Sequence, residues 1–427
     1  MLDINYIKEN LEKVKKSIQD RKADVDLEKL LSLDTQRRDL IQRVDELRSK
    51  KNEAAKNKDI DTGIKINSEL DGLEKELKKK EKEWKELMFQ VPNVPLDEVP
   101  EGDASKFDII HKGGEVIKFN FSPRDHVELG AMLDIIDLPK GAKVAGARFA
   151  YLKNEGVLLE LALVQYAINR LIKSNFIPVI PPTLIKKEIT DKLGYWHGRV
   201  DEEHTANENY YLVSDEEEGI SGTKKANPLY LIGTGEHAIV PMHADEIFAE
   251  EDLPKKYVAF SPCYRREVGK GGQDVRGILR VHQFDKVEMV AFVKPEDDER
   301  IRKEMRGIVE EIMKDLGLPY QVKKLPSEDI SFPAAETIDI ETWIPSQNIY
   351  RETHSISTTT DFQARRLKTR FKEKDGSIKF VHILNGTAIA IGRTIIAILE
   401  NFQQEDGSVK IPEVLHKYTG FSEIKPK

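Results

Sequence analysis

Arg265, Glu267, Arg280, Phe284 and Glu288 are the residues of this chain whose types and spacing are best suited to chemistry. Arg265 and Glu267 stand two apart in Phe260-Ser261-Pro262-Cys263-Tyr264-Arg265-Arg266-Glu267, so on a strand they would face one side. A Gly-rich basic loop follows, Val268-Gly269-Lys270-Gly271-Gly272-Gln273. The chain returns through Arg280, His282, Phe284, Lys286 and Glu288, which share a face under the same period of two. One hairpin surface is thereby expected to carry two guanidiniums, two carboxylates and an aromatic plate. A nucleoside triphosphate would engage each kind: guanidiniums bind phosphate oxygens bidentately, a ring stacks on the purine, and a carboxylate accepts from an exocyclic amine. A salt-bridged hairpin face with a flexible loop stays open on spacing alone. No Gly-x-x-x-x-Gly-Lys-Ser/Thr occurs, so the loop is not a P-loop.

The chain that must position these groups has 427 residues, enough for two or three domains. Lys and Arg number 67 against 75 Asp and Glu, a net charge of −8, which excludes a globally basic nucleic-acid coat. Attraction to nucleic acid would have to be local. The single cysteine, Cys263, excludes an internal disulfide framework and a Cys-rich zinc site. The start, Met1-Leu2-Asp3-Ile4-Asn5, shows no apolar run of a secretory signal. The most apolar stretch, 157–172, is interrupted by Glu160, Gln165, Asn169 and Arg170 and is too short to span a bilayer. A cytoplasmic protein without a membrane segment is expected.

The first hundred residues differ from the rest. Leu30, Leu33, Arg37, Leu40, Val44, Leu47, Lys51 and Ala54 alternate steps of three and four, as do Ile66, Leu70, Leu73, Leu77, Lys80, Trp84, Leu87 and Val91. Each series predicts a helix with an apolar seam. The polar stretch 58–63 between them, ending in Gly63, predicts a helix C-cap and turn, giving an antiparallel coiled-coil hairpin roughly 40 Å long. Such an arm serves either as a dimerisation spacer or as a probe reaching a large partner. Lys50-Lys51 and Lys78-Lys79-Lys80 could meet phosphates, although Glu and Asp are interspersed.

The breaker-rich run 91–102 reads as a linker. Beyond it, helical periodicity covers 156–172, 295–316 and 394–403, and strand-like runs fall at 176–182, 257–261, 287–293, 336–343 and 379–384. Strands and helices do not alternate regularly, which favours an α+β domain on a largely antiparallel sheet.

Three stretches resemble the motifs of class II aminoacyl-tRNA synthetases. Arg265-x-Glu267, the loop, and Arg280-x-x-x-Phe284-x-x-x-Glu288 (about 257–288) resemble motif 2. Leu384-Asn385-Gly386-Thr387-Ala388-Ile389-Ala390-Ile391-Gly392-Arg393 (within about 383–403) resembles motif 3, and 156–182 resembles motif 1. Within the class the chain is most similar to the seryl-tRNA synthetase family, through 275–288, Thr360-Asp361-Phe362-Gln363-Ala364-Arg365-Arg366, 400–407 and the N-terminal arm.

That resemblance implies an N-terminal tRNA-binding domain over 1–105 and a class II catalytic domain over 106–427. It implies ATP-dependent formation of seryl-adenylate and transfer of serine to tRNA(Ser), with tRNA(Sec) left open as a further acceptor, by a homodimer. Arg265, Arg280 and Glu352 are the implied catalytic residues. ATP would also meet Arg266, Glu267, Phe284, Thr353, His354, Ser355 and Arg393, with Mg²⁺ on Glu352 and Ser355. L-serine would meet Thr234, Gly235, Glu236, Arg265, Glu288, Asn385 and Thr387. Some positions depart from the family pattern: Gly235 where Ala or Ser is usual, Arg266 in place of Ser, and Thr353-His354 between the metal positions. His197 and His204 have no convincing four-ligand set around them. A catalytically silent tRNA-binding relative, and a ligase that loads serine onto a carrier protein, are the competing readings. Serine-dependent exchange separates the first, and the reach of the arm argues against the second.

Overall fold

The computed structural model describes residues 1–196, 206–213, 228–268 and 275–427. The chain divides into two compact units, Met1–Pro92 and Asn93–Lys427.

In the first unit, helices Leu27–Lys56 (α1) and Ile60–Gln90 (α2) have 30 and 31 residues, each about 45 Å long. Both starts are capped, Asp26 accepting from the Lys29 N–H at 2.8 Å and Asp59 from the Thr62 N–H at 3.1 Å. Leu40, Val44, Ile66, Leu70 and Leu73 bury one another along the expected seam. Arg37, an interruption of that seam in sequence, lies 4.5 Å over the Trp84 ring as a cation–π contact. Arg48 pairs with Glu74 across the helices at 2.8 Å. The turn differs from expectation. The Asp59 cap starts α2 early, so Gly63 sits inside its first turn, and Lys58 at φ 55° takes the left-handed position.

The segment expected as a linker docks on the larger unit from Asn93 onward, ahead of the boundary placed at 105. Its prolines prevent regular structure, but its backbone still pairs: Leu96 N–H donates to Ala335 O at 2.9 Å and Ser327 N–H to Pro100 O at 2.8 Å. The buried Asn93 amide donates to Pro333 O and Thr359 O, both at 2.9 Å. Asn93→Ala should cost this unit about 2 kcal/mol, because two buried carbonyls lose their donor. A lowered urea midpoint for the larger unit checks this.

The larger unit is built on an eight-stranded sheet. Its strands are Asp108–Gly113 (β1), Ile177–Val179 (β2), Lys255–Tyr264 (β3), Gln283–Val293 (β4), Tyr320–Lys324 (β5), Glu336–Ile344 (β6), Ile349–Thr358 (β7) and His382–Ala390 (β8), in the order β1-β5-β6-β7-β8-β4-β3-β2. Within this sheet, among the described residues, only β2 with β3 is parallel, so the expected α+β architecture on a largely antiparallel sheet is present. Helices Glu155–Lys173 (α3), Asp298–Asp315 (α4) and Ile391–Asn401 (α5) bury Leu163, Met305 and Ile395 against Val287, Met289, Ile340 and Ile389. Each such side chain contributes about 1.5–3 kcal/mol. Alternation along β4 sends Val287 and Met289 into that core and leaves Lys286 and Glu288 for the other face. The run 379–384 is split between two sheets, Ile378–Phe380 pairing in a separate one.

Two bulges adjust the aim of the strands. Opposite β4 the register skips Ala388, so Val287 faces Ile389 while Glu288 faces Thr387. Opposite β6 it skips Thr353, so Ile340 faces His354 while Glu341 faces Glu352. Each extra residue restores to one face side chains that a period of two would separate.

Candidate active site

The polar face of the sheet lines a cleft of about 520 Å³ that includes Thr234, Glu236, Arg265, Lys286, Glu288, Asp339, Glu352, Ser355, Asn385 and Thr387. A smaller cavity of about 110 Å³ adjoins it, lined by Arg265, Glu267, Arg280, Phe284, Glu352, Thr353 and Arg393 among others. The two share Arg265, Lys286, Glu352 and Thr387.

Cations and an aromatic plate dominate the smaller cavity. The Arg265 guanidinium lies 5.5 Å over the Phe284 ring, and its Nε donates to Gly233 O at 3.0 Å. Arg280 Nε is 2.8 Å from Glu267 Oε2. Arg393 occupies the first turn of α5, where the helix dipole disfavours a cation. Its Nη1 donates to Glu352 O at 2.8 Å and lies 3.2 Å from Glu352 Oε2, which offsets that cost. The Glu352 side chain is 47% exposed to the cleft. Its recessed position pushes the carboxyl up, but Arg393, Arg265 and Arg280 together outweigh this and hold it below the usual range.

Carboxylates and hydroxyls dominate the larger cleft. Glu288 Oε2 receives Lys286 Nζ at 2.5 Å and the Thr387 hydroxyl at 3.2 Å. Lys286 also donates to Thr234 Oγ1 at 2.8 Å. Glu236 is buried; the Tyr195 hydroxyl donates to its Oε2 at 2.8 Å and Gln363 Nε2 to its Oε1 at 2.9 Å. Burial raises the Glu236 carboxyl to about 7, against the pull of Gln363 and Tyr195. Asp339 stands opposite Ser355 in the strand register. Burial and then the Glu352 charge push its carboxyl well above the usual range, and its Oδ1 has no partner among the described residues.

Glu352, Ser355 and Asp339 thus offer carboxylate and hydroxyl oxygens, one of them unpartnered, a hard donor set of the kind Mg²⁺ takes. Among the described residues no group of three or more His, Cys, Asp or Glu gathers as a metal cage. An ion here would complete its shell with phosphate oxygens and water.

Comparison with known proteins gives the family. Residues 1–95 match the seryl-tRNA synthetase N-terminal domain, and residues 211–402 match the tRNA synthetase class II core domain (G, H, P, S and T). The serine–tRNA ligase of Thermodesulfovibrio yellowstonii is 38% identical over 442 residues, covering 100% of both chains. The chain belongs to the seryl-tRNA synthetase family. The crystal structure of seryl-tRNA synthetase from Pyrococcus horikoshii complexed with ATP is 36% identical with a TM-score of 0.88, covering 100% of each chain. The cytoplasmic serine–tRNA ligase of Naegleria fowleri in complex with AMP is 32% identical with a TM-score of 0.85, covering 100% of this chain and 99% of that one.

Of the positions carried over from the seryl-tRNA synthetase family, all but three have side chains in the paired cavities. The exposed Arg266 side chain lies outside them, while the residue's backbone N–H donates to Asn209 O at 2.8 Å. His354 is buried with Nδ1 2.8 Å from Thr353 Oγ1, and burial lowers its pKa to about 3. Gly235 lies beneath the cleft. A Cβ there would be 3.3 Å from the Cβ atoms of Ala259 and Glu288, so its missing side chain gives close packing on β3 and β4, not a wider pocket.

The single shared face expected of the hairpin holds for Phe284, Lys286 and Glu288. Arg265 and Glu267 lie past the end of β3, and Arg280 and His282 precede β4; His282 turns toward Phe149, 5.4 Å away. The Arg280–Glu267 pair, not strand pleating, brings these two side chains together. The Gly-rich loop at 269–274, His197, His204 and the acidic run 215–218 lie outside the described residues. Sequence reasoning gave no role to Tyr195, Asp339 or Gln363, and it placed Lys286 on the face without one. Lys286 could have been found from its spacing of two from Glu288; the others are adjacent only in the folded chain.

Proposed function

We propose that this chain makes seryl-adenylate from L-serine and ATP, releases pyrophosphate, and passes the seryl group to the 3′-terminal ribose of tRNA(Ser). The junction at Arg265 carries this reading: a cationic, aromatic cavity suited to a nucleotide opens directly onto a pocket of hydroxyls and carboxylates suited to a small amino acid. Phe284 and Arg393 stack on adenine and Glu267 accepts from its amine. Arg265 holds the α-phosphate and Arg280 the γ-phosphate. The serine carboxylate attacks the α-phosphorus in line, pyrophosphate leaves, and a ribose hydroxyl of tRNA then attacks the acyl carbon to release AMP. No protein nucleophile is needed; positioning and charge stabilisation do the catalysis. Glu352 and Ser355, with Asp339 beside them, would hold Mg²⁺, which would neutralise phosphate charge.

Thr234 and Glu236 bind the serine ammonium, and Glu288 with Thr387 binds the hydroxyl. A buried pocket that hydrogen-bonds a hydroxyl rejects alanine, because its own polar groups would be left unpaired. Thr387→Val should therefore raise the serine KM about tenfold and shrink the preference for serine over alanine. Exchange kinetics with both amino acids check this.

The arm of α1 and α2 recognises tRNA by shape and backbone. Homodimer formation is supported by the apolar side chains that α3 and its surroundings leave exposed, Leu161 at 56% and Val144 at 70%. A cytoplasmic location accords with the lack, among the described residues, of any helix long and apolar enough to cross a membrane. Pyrophosphate exchange across a panel of amino acids tests the whole: serine should support it above all others, and equal exchange with another amino acid overturns the specificity.

A further inference from the structure

We propose that Tyr195 is a positioning residue for the substrate amino group, its hydroxyl holding Glu236 as an ionised acceptor aimed at the ammonium. The inference rests on the reading of Glu236 as the ammonium-binding group.

Tyr195 follows Gly194, whose left-handed φ of 91° turns the chain out of the helix Lys187–Leu193. A Cβ at 194 would stand 3.2 Å from the Phe362 ring, so glycine also allows the close approach. The Tyr195 ring packs 4.9 Å from His237, next to a Trp196–Tyr210 stack at 4.2 Å, which limits its freedom to swing. Its hydroxyl reaches both oxygens of Glu236, at 3.0 and 2.8 Å. Gln363 adds a donor to Oε1. With these donors behind it, the carboxylate presents acceptor lone pairs to the cleft, which suits an ammonium.

Among the described residues, the charged and titratable groups around Glu236 are Glu288 and Lys286 of β4, Arg265 across the cleft, Tyr195 itself, Tyr210, and a His237 that burial keeps neutral. Burial and Glu288 favour the protonated acid, while Gln363, Tyr195 and Lys286 favour the carboxylate. Serine binding needs the carboxylate, so it weakens as pH falls through about 7. Removing the Tyr195 hydroxyl takes away one stabiliser of the charged form and moves that acid limb to higher pH.

The test is pyrophosphate exchange by the full chain and its Y195F variant between about pH 6 and 9, varying serine and ATP separately. The expected result is a serine KM about tenfold higher at pH 7, an ATP KM within about twofold of wild type, and an upward shift of the acid limb of kcat/KM for serine. An unchanged serine KM and limb overturns the proposal. Parallel rises in both KM values without a shift of the limb also overturn it, since they assign Tyr195 to packing alone. Failure of the unaltered chain to exchange with serine would overturn the functional reading itself and this inference with it, an outcome visible before any variant is made.

Discussion

Arg265→Ala should lower serine-dependent pyrophosphate exchange by about a thousandfold or more. The guanidinium belongs to both cavities, lies over the Phe284 ring and is anchored through Nε on Gly233 O, so its remaining N–H groups are aimed rather than searching. Charge grows on the α-phosphate oxygens as the serine carboxylate attacks, and donors fixed beforehand stabilise that charge without reorganising. Arg265→Lys keeps the charge but loses the planar fork, and should still cost on the order of a hundredfold. The loss should fall on kcat as well as on the ATP KM, because the contact strengthens toward the transition state. Single-turnover adenylate formation separates the two. A variant that exchanges within tenfold of wild type would remove Arg265 from the phosphate site.

Shortening the arm should separate the two half-reactions. Joining residue 48 to residue 74 by a short Gly-rich turn removes the distal part of the hairpin at the level where Arg48 meets Glu74. Ile66, Leu70 and Leu73 are lost, but Leu40, Val44, Leu47 and Leu77 stay, as does the Arg37–Trp84 stack, so the proximal part of the seam persists. Serine-dependent exchange should stay within about twofold, since none of the cavity-lining residues lies in the first unit. Charging of tRNA(Ser) should fall on the order of a hundredfold or more in kcat/KM, as backbone contacts along the arm are lost. Loss of exchange along with charging would instead make the arm a folding element.

How much of this was legible before folding depended on what kind of signal each residue leaves. The seam of α1 and α2 was plain because burial along a helix imposes a repeat that survives polar interruptions; Arg37 fits it through its stack on Trp84. Arg265, Phe284, Glu288 and Arg393 were legible as chemistry because few structural roles need those types at those spacings. β7 left no strand signature. Its stretch Arg351-Glu352-Thr353-His354-Ser355 is polar on both faces, one serving the cleft and the other hydrogen-bonded inside, so alternation of hydrophobicity is lost. The turn at Gly63 misled because glycine usually marks a helix end, whereas here the capping carboxylate of Asp59 decides the start. Tyr195 and Gln363 reach Glu236 from 41 and 127 residues away, and no local pattern encodes that meeting.

The skipped residues Thr353 and Ala388 make the cleft sensitive to counting. Glu352 and Ser355 are an odd number of steps apart and would look in opposite directions on an unbroken strand, yet both reach the cleft because Thr353 is left over between them. Exchanging Thr353 for another residue alters one side chain; removing it would swing one half of the donor set to the far surface of the sheet. Along these two stretches a gain or loss of one amino acid is therefore a graver change than most replacements, and the number of residues is as much a part of the catalytic apparatus as their identities.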